Sequence, residues 1–376
     1  MIANGIIFSN LHDKNISELT VDRTMASVPF LCRHRLVDFP ISNMANAGIL
    51  DISVVAHNNY YTLMEHIGSG KDWDLARRRG GIRLLTPYVK AQSGHTSLYP
   101  SRLEALIGIS ESVADMDCDY VVMADCDFIC NIDIKDMLRA HEASGAQVTL
   151  AVKRMRVDRE QARKSLLVSS DEEGRITDLV ANPMDFSGET DVCINVYVVN
   201  RQFLQTVVAA GAAHGFSSFT HNILQPTLKK ENYRIYRFEG FTCAINSMTD
   251  YYNSSMAVLG DADARADLFG INRRPILTHV RNSAPTVHTG TASVKNSLLA
   301  DGCVIEGRVE NSILFRGVHV GKGAVVKNSI LFSGAYVGRD AELNCVVADK
   351  DVLVNDGVRL SGHETLPFYI DKNRHI

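Results

Sequence analysis

The cysteines are the residues whose type and spacing could most directly indicate a metal site. The sequence has eight of them in 376 residues, and no two form a C-x-x-C pair. Cys118, Cys126 and Cys130 lie close together, but their spacing matches no common zinc template and no histidine pair lies beside them. We therefore predict no metal site from these residues and interpret them as reduced cysteines in the core of a cytoplasmic protein.

Composition and charge exclude two classes of partner. The 39 basic and 43 acidic residues give a net charge of -4, and like charges form no block, so neither nucleic acid nor an anionic membrane is the expected partner. The longest apolar runs, such as 5–8 and 121–124, are far shorter than the roughly 20 residues of a membrane-spanning helix. The first ten residues lack the features of a secretion signal and predict a buried strand instead.

The elements that would position any chemistry alternate in type over the first 250 residues. Helical patterns, such as the one over 101–114, separate short apolar runs, and this alternation predicts a doubly wound α/β domain. Ligands bind at the carboxyl ends of the strands in such a sheet. A helix over 249–258 and a polar connector over 260–274 follow. The candidate strands are 2–8, 52–56, 120–124, 148–152, 192–199 and 234–238.

An internal repeat marks the carboxyl-terminal part of the chain. Asn-Ser-Leu-Leu at 296–299 returns as Asn-Ser-Ile-Leu at 311–314 and 328–331, and Val320-Gly321 returns 17 residues later as Val337-Gly338. β-Branched residues alternate with Gly, Asn and Asp, which suit corners with positive φ. A hexapeptide-type, left-handed parallel β-helix over 285–376 is therefore predicted, after a domain over 1–250 and a helix and linker over 251–284. An antiparallel β-sandwich is the alternative.

A long motif gives a resemblance to a known family. Residues 23–48, RTMASVPFLCRHRLVDFPISNMANAG, resemble the signature of the glucose-1-phosphate adenylyltransferases, and segments 127–133 and 247–256 resemble later segments of that family. The similarity covers essentially the whole chain and implies a Rossmann-like nucleotidyltransferase domain with a mixed sheet, followed by the β-helix. The positions in register are Arg23, Val28, Pro29, Phe30, Arg35, Leu36, Asp38, Phe39, Ser42, Asn43, Asn46 and Gly48.

The resemblance implies the reaction of ATP with glucose 1-phosphate to give ADP-glucose and pyrophosphate. Members of the family cradle the triphosphate with a glycine-rich loop that also carries an arginine, because backbone N–H groups and a cation must approach the phosphates closely. An ungapped alignment from Leu19 and Thr20 puts Asn10, Leu11 and Asp13 at the glycine positions and Asn15 at the arginine position. We expect this loop to have lost phosphate binding.

The remaining family positions are also changed. Met25 replaces a lysine, and Asn182 replaces the lysine that holds the sugar phosphate. Of the two aspartates that bind Mg²⁺, Asp127 is present, but Ala244 stands at the second position, and a site with one carboxylate missing binds much more weakly. Nearby Asp125 and Asp133 are possible substitutes, although such aspartates are usually turn or capping residues. Arg102 replaces a small residue near the nucleobase.

These departures predict a regulatory, catalytically impaired subunit. The resemblance implies a catalytic adenylyltransferase subunit as its partner in a heterotetramer, with a homo-oligomer possible for the chain alone and Mg²⁺ needed only by the catalytic partner. Family effectors are sugar phosphates and other anions, and Arg23, Arg33 and Arg35 are the candidate ligands for them. Ordinary ion pairs are the alternative role of these arginines.

Two other functions stay open. A rebuilt site with weak adenylyltransferase activity would depend on Mg²⁺ and on Asp127. Acyl transfer by the β-helix would depend on acetyl-CoA and on His319, the histidine within the clear repeats. A surface position without a chemical role is the alternative for His319.

Overall fold

The computed structural model describes residues 1–86, 101–271 and 273–376. A mixed α/β domain comes first and a β-helix follows it, as the sequence predicts. The strands of the first domain are β1 (Ala3–Phe8), β2 (Pro29–Phe30), β3 (His34–Arg35), β4 (Asp51–Val55), β5 (Gly81–Leu85), β6 (Tyr120–Asp125), β7 (Phe128–Cys130), β8 (Val148–Val157), β9 (Leu166–Ser170), β10 (Ile176–Ala181), β11 (Gly188–Asn200), β12 (Tyr233–Arg237) and β13 (Thr242–Ala244).

The helices lie between these strands. They are α1 (Ser17–Thr20), α2 (Asp38–Asn46), α3 (Tyr61–Ile67), α4 (Arg102–Gly108), α5 (Ser110–Ala114), α6 (Ile134–Ser144), α7 (Arg159–Ala162), α8 (Arg201–His214), α9 (Gln225–Thr227), α10 (Met248–Gly260) and α11 (Ala262–Phe269). In the three ranges that the structure describes, no helix is both long enough and apolar enough to span a bilayer.

The main sheet is mixed in direction. Among the described residues it has nine strands, with the order β10-β9-β11-β6-β1-β4-β5, while β8 pairs with both β11 and β12. β1 is parallel to β4 and β6, whereas β11 is antiparallel to β6 and β8. Both faces are covered, and apolar residues from the two sides of β1, such as Ile6 and Ile7, enter separate core clusters. This arrangement brings the carboxyl ends of β1 and β6 together at the centre of the sheet.

The predicted strands all occur, but two helical predictions need correction. The pattern over 101–114 forms two helices, α4 and α5, with a break at Ile109 (φ -111°, ψ 24°) that directly follows Gly108, a poor helix former. The polar stretch over 260–274 is not only a connector, because it contains α11. Asp261 caps α11 by accepting the N–H groups of Asp263 and Ala264.

The carboxyl-terminal domain has three parallel five-stranded sheets within the described residues, as a parallel β-helix requires. The first sheet contains β14 (Val287–His288), β17 (Val304–Ile305), β20 (His319–Val320), β23 (Tyr336–Val337) and β26 (Leu353–Val354). The second contains β15 (Ser293–Lys295), β18 (Arg308–Glu310), β21 (Val325–Lys327), β24 (Glu342–Asn344) and β27 (Arg359–Ser361). The third contains β16 (Leu298–Leu299), β19 (Ile313–Leu314), β22 (Ile330–Leu331), β25 (Val346–Ala348) and β28 (Phe368–Ile370).

The repeated Asn-Ser pair explains how the coils stack. Asn296, Asn311 and Asn328 have φ values of 42°, 45° and 46°, a left-handed conformation that asparagine tolerates better than most residues. Their side chains form a ladder from coil to coil, with Nδ2-to-Oδ1 distances of 2.9 Å from Asn296 to Asn311 and 3.4 Å from Asn311 to Asn328. The hydroxyls of Ser312 and Ser329 accept N–H groups from the following coil at 3.1 Å.

The third sheet of the β-helix packs against the first domain. Ile313, Ile330 and Phe332 belong to the same buried cluster as residues of α2 and α10. The Tyr252 hydroxyl donates to the backbone oxygen of Asn328 at 2.7 Å. The two domains are therefore joined by a continuous core as well as by polar contacts.

Candidate active site

Two carboxylates lie where the central parallel strands end. Asp125 is the last residue of β6 and pairs in register with Phe8, the last residue of β1. Asp127 follows two residues later, and both aspartates are almost completely buried. The loop after β1 crosses the same edge of the sheet, so that His12 Nε2 lies 2.8 Å from Asp125 Oδ2 and 3.5 Å from Asp127 Oδ2. This is the edge at which doubly wound sheets bind ligands.

The guanidinium of Arg102 occupies the same edge. Ser101 caps α4 by accepting the N–H of Glu104, which fixes Arg102 in the first turn of that helix. Arg102 donates to Asp125 Oδ2 at 2.6 Å, and its guanidinium carbon lies 4.5 Å from the ring centroid of Tyr197. Arg102 is thus held by an ion pair and a cation–π contact together.

Asn195 joins the two halves of this network. The register of β11 against β8 shifts between Cys193 and Tyr197, and Asn195 lies in this bulge with a φ of 56°. Its amide donates to Asp127 Oδ2 at 2.8 Å, while its Oδ1 accepts from Arg102 at 3.4 Å. A bulge beside a site commonly redirects a side chain in this way.

The electrostatics of the network are internally compensated. Burial by itself would lower the pKa of His12, but the nearby charges of Asp127 and Asp125 raise it to about 9. Burial would raise the pKa of Asp125, yet Arg102 and His12 together hold it below its usual value. For Asp127, burial prevails over the attraction of His12 and raises the pKa. Two cationic side chains, His12 and Arg102, therefore compensate the charge of the two aspartates.

The polar side chains of the loop after β1 are hydrogen-bonded to other residues of the protein. Asp13 Oδ1 accepts the backbone N–H of Met25, and Asp13 Oδ2 accepts from the side chain of Asn10, both at 2.7 Å. Burial raises the pKa of Asp13 in this position. Asn15 donates to Asn246 Oδ1 at 3.1 Å, and Leu11 packs against a core cluster. The polar groups of the loop thus bond within the chain.

The described residues do not provide the two-aspartate magnesium site that the sequence resemblance implies. β13 pairs with β7 so that Ala244 lies opposite Phe128, the neighbour of Asp127, and a methyl group therefore stands where a second carboxylate would be needed. Asp125 is already bound to Arg102. Asp133 accepts the N–H of Asp136 at 3.0 Å and caps α6, a structural role that the sequence had suggested.

Comparisons with known proteins identify the family. Residues 12–258 match the Nucleotidyl transferase family model, and residues 283–365 match the model "GlmU-like, C-terminal hexapeptide". The chain is 30% identical over 373 residues to "Glycogen biosynthesis protein GlgD" of Bacillus subtilis, covering 98% of this chain and 95% of that protein. It is 32% identical over 316 residues to a glucose-1-phosphate adenylyltransferase of Geobacillus stearothermophilus, covering 83% and 80%. The chain belongs to the glucose-1-phosphate adenylyltransferase family.

Two further departures from the adenylyltransferase pattern have clear structural settings. Met25 is 1% exposed and belongs to the hydrophobic core, so its side chain offers nothing to a phosphate. Asn182 is exposed, with a φ of 52°, and its N–H donates to the backbone oxygen of Ser165 at the end of β10. The family resemblance implies phosphate-binding lysines at these two positions. This chain has an apolar side chain at the first, Met25, and a neutral one at the second, Asn182.

Arginines of the family signature also contribute to a basic cleft between the two domains. Arg33 and Arg35 line it from the first domain, and Arg316 and Lys350 line it from the β-helix, around a volume of about 260 Å³. Burial and then Arg35 and Arg23 lower the pKa of Lys350 to about 8. Burial lowers the pKa of Arg35 to about 10, against the opposing effect of Asp38.

The structure corrects the prediction for Arg23. This arginine is 4% exposed, and its Nη2 lies 2.8 Å from both carboxylate oxygens of Asp349. Its guanidinium is therefore committed to a buried ion pair that joins the domains, which was the alternative considered from the sequence. Arg23 does not line the basic cleft, although it lies close enough to lower the pKa of Lys350.

Sequence reasoning missed three members of the network at the sheet edge. His12 lies in the loop after β1, between positions that the alignment marks as altered. Arg102 was predicted only to replace a small residue near the nucleobase, and Asn195 lies within a predicted strand. A polar residue in the middle of the apolar run 192–199 was the available signal for Asn195. His319 lies outside this region, on the β-helix, where its ring stacks on Tyr336 at 4.6 Å.

Proposed function

We propose that this chain is a cytoplasmic regulatory subunit of glucose-1-phosphate adenylyltransferase, which modulates ADP-glucose synthesis for glycogen without catalysing it. The observation that carries the proposal is the contact of Arg102 with Asp125 and Tyr197, because a side chain of the protein itself fills the ligand-binding edge of the sheet. The similarity to a protein named for glycogen biosynthesis over 98% of the chain supports the same function.

Catalysis at this edge of the sheet would require several residues to give up their present contacts. ATP would need Asp13 to release the Met25 N–H and Arg102 to leave a buried carboxylate. Loss of one well-placed donor to a transition state costs about 3–4 kcal/mol. Several such losses do not add fully, but together they leave little turnover.

A catalytic adenylyltransferase subunit is the proposed partner, in a heterotetramer. A chain that keeps the fold of its relatives keeps their packing surfaces and can replace one subunit of a symmetric assembly. It changes the activity of its neighbour only if it contacts the weak and active states of that neighbour differently. Regulation by this chain therefore acts through subunit contacts.

The decisive experiment compares this chain, a catalytic adenylyltransferase subunit and their mixture in an assay of ADP-glucose formation. We expect no turnover from the chain alone, a mixed complex by light scattering, and higher activity in the mixture than in the catalytic subunit alone. Full activity of the isolated chain, or a mixture no more active than the catalytic subunit, would contradict the proposal.

The same assay distinguishes a weakly active enzyme. Slow turnover by the chain alone that needs Mg²⁺ and is abolished in Asp127→Asn would favour that alternative. Asp133→Asn is the matched control, because Asp133 is also an aspartate near this region but caps α6 and pairs with Arg274. Equal loss in both variants would indicate damage to the fold instead.

The basic cleft is the proposed site for an anionic effector such as a sugar phosphate. Its cations Arg33, Arg35, Arg316 and Lys350 converge from both domains beside the carboxylate of Asp351. Burial, and after it the repulsion from Arg35 and Arg23, lowers the pKa of Lys350. An anion would relieve this repulsion and would bind most strongly when the domains keep their present arrangement.

Sulfate is a suitable probe of this cleft, because its charge is constant between pH 7 and pH 9. Lys350 has a pKa of about 8 and loses its charge over this interval. We therefore expect sulfate affinity, measured by calorimetry, to fall by about 3- to 10-fold from pH 7 to pH 9. The fall should disappear in Lys350→Gln and persist in Lys295→Gln, which removes an exposed lysine of β15. A pH-independent affinity would exclude Lys350 as a ligand.

A further inference from the structure

The three sheets of the β-helix differ in what their outer faces contact. The third sheet packs against the first domain. The outward side chains of the second sheet form exposed ion pairs with one another, such as Arg308 with Glu310 and Arg359 with Glu342. The outer face of the first sheet is different, because a column of uncharged side chains and one histidine runs along it.

The register of the first sheet defines this column. In its strands the residues Ile305, Val320 and Val337 lie in the interior of the β-helix, so the residue before each of them points outward. The parallel pairing aligns these outward residues from coil to coil. We call them the outer column: Val287, Val304, His319, Tyr336 and Leu353.

The outer column is accessible and flat. Val287 is 54% exposed and Tyr336 is 39% exposed, and the rings of His319 and Tyr336 stack within 3° of parallel. Gly321 and Gly338 follow the inward residues of two adjacent coils, so these coils have no side chain on that side of the column. Exposed apolar patches of this kind mark interaction sites.

A second copy of this chain fits the face, because the outer column is complementary to itself. Its first two members, Val287 and Val304, are small, whereas its last two, Tyr336 and Leu353, are larger. A two-fold axis through His319 and parallel to the strands would place each valine opposite one of the larger residues of the other copy. Such packing of one patch on itself is the commonest arrangement of homodimers.

Charges beside the outer column obey the same symmetry. Glu306 lies one coil before His319, with its Oε2 3.7 Å from the His319 ring, and the exposed Arg339 lies one coil after it on the same side of the column. The two-fold axis would bring Glu306 of each copy near Arg339 of the other, with the two copies of Lys322 between these pairs. Opposite charges that meet in this way fix the orientation of a complex.

The size of the face limits the strength of such a contact. Five strands about 4.8 Å apart span roughly 19 Å, which is less than a standard interface of about 800 Å² on each partner requires. We therefore expect a reversible dimer with a dissociation constant in the micromolar range.

We propose that the outer column is the contact between two copies of this chain, which pack face to face with their β-helix axes reversed and with His319 on the two-fold axis. His319 thus acts in assembly and not in acyl transfer. This contact does not depend on whether the chain is regulatory or weakly catalytic.

Sedimentation velocity of the full chain over a range of concentrations tests the contact. We expect the wild type to self-associate, and Tyr336→Arg, which puts a charge into the outer column, to weaken this association by more than about tenfold. Glu342→Arg on the second sheet is the control and should associate like the wild type. A wild type that does not self-associate, or a folded Tyr336→Arg variant that associates equally well, would overturn the proposal.

Charge reversal tests the two-fold arrangement without relying on Tyr336. Glu306→Arg and Arg339→Glu should each weaken the dimer by about tenfold, because each places like charges opposite one another. The double variant restores opposite charges and should return to within about threefold of the wild type. Damage to the fold would not be repaired by a second substitution. A double variant as weak as the single ones would therefore refute this arrangement.

Cross-linking identifies the partner. A residue on a two-fold axis lies opposite its own copy, so His319→Cys should form a covalent dimer on mild oxidation, whereas Arg359→Cys on the second sheet should not. The unsubstituted chain is the blank, because seven of its eight cysteines are buried and Cys243 is partly buried. Cross-linking of His319→Cys to an added catalytic subunit but not to itself would assign the face to that subunit and overturn the proposal.

Discussion

At the scale of single residues, Arg102 determines the character of the sheet edge. Its guanidinium contacts a carboxylate, an amide oxygen and an aromatic ring, and its side chain is 12% exposed. Buried ion pairs are expensive to form but very expensive to break on one side only. Arg102 is therefore a structural necessity for Asp125, independently of any ligand.

Replacement of Arg102 by methionine should be strongly destabilising. Arg102→Met leaves His12 as the one cation that the described residues place beside the buried carboxylates of Asp125 and Asp127. We expect a loss of about 3–5 kcal/mol in the free energy of unfolding. Urea denaturation measures this value. Arg83→Met, which breaks an exposed pair with Asp51, should cost less than about 1 kcal/mol. Similar losses in both variants would show that the network is not the cause.

At the scale of elements, the repeated Asn-Ser corner determines how the β-helix coils stack. Each asparagine adopts a positive φ, and each also extends the amide ladder to its neighbours. These two contributions are separable by mutation, because glycine tolerates the backbone conformation but lacks the amide.

Asn328 makes both contributions, because its φ is 46° and its amide donates to Asn344 at 2.9 Å. Asn328→Gly should lose only the ladder, at about 1 kcal/mol. Asn328→Ala should lose a further 1–2 kcal/mol, approximately, because alanine is strained at positive φ. Denaturant titration of the two variants measures the difference. Equal stability of the alanine and glycine variants would contradict the role of φ at this corner.

At the scale of the whole molecule, a polar network connects the β-helix to the loop after β1. Arg23 binds Asp349 in the β-helix, and the Tyr369 hydroxyl lies 3.0 Å from Asp349 Oδ2 and 2.8 Å from the backbone oxygen of Glu18 in α1. Lys350 of the basic cleft directly follows Asp349 in the chain. The cleft and the loop are therefore linked through one buried ion pair.

Loss of this ion pair should affect the molecule as a whole. Asp349→Asn leaves the Arg23 charge buried without its carboxylate, and we expect a loss of about 3–5 kcal/mol in the free energy of unfolding. The single tryptophan, Trp73, lies in the first domain, so its fluorescence reports unfolding there while circular dichroism reports the whole chain. Glu342→Gln, which removes an exposed ion pair with Arg359 on the β-helix, is the control. A change below about 1 kcal/mol in Asp349→Asn would contradict this role.

The sequence by itself determined the two fold types, the family and the identity of the altered positions. The β-helix was predictable because its repeat is short and local in the sequence. Each Asn-Ser pair places an asparagine at a corner that requires a positive φ. The α/β class of the first domain was predictable from alternating apolar runs, whereas its mixed sheet followed from the family resemblance. A motif of 26 residues carried that resemblance, because so long a match in register is specific. The helix α11 was missed because its buried face contains only Ala264 and Leu268, too few residues to give a clear period.

Only the tertiary structure decided which charges meet. His12, Asp125 and Arg102 come from three separate segments, and Arg23 reaches an aspartate 326 residues away. Pairs of this kind leave no period in the sequence, since they depend on strand order, on the bulge at Asn195 and on the packing of the β-helix against the first domain. The sequence therefore indicated which family groups are missing from the sheet edge, whereas the fold determined which side chains of the protein itself stand there instead.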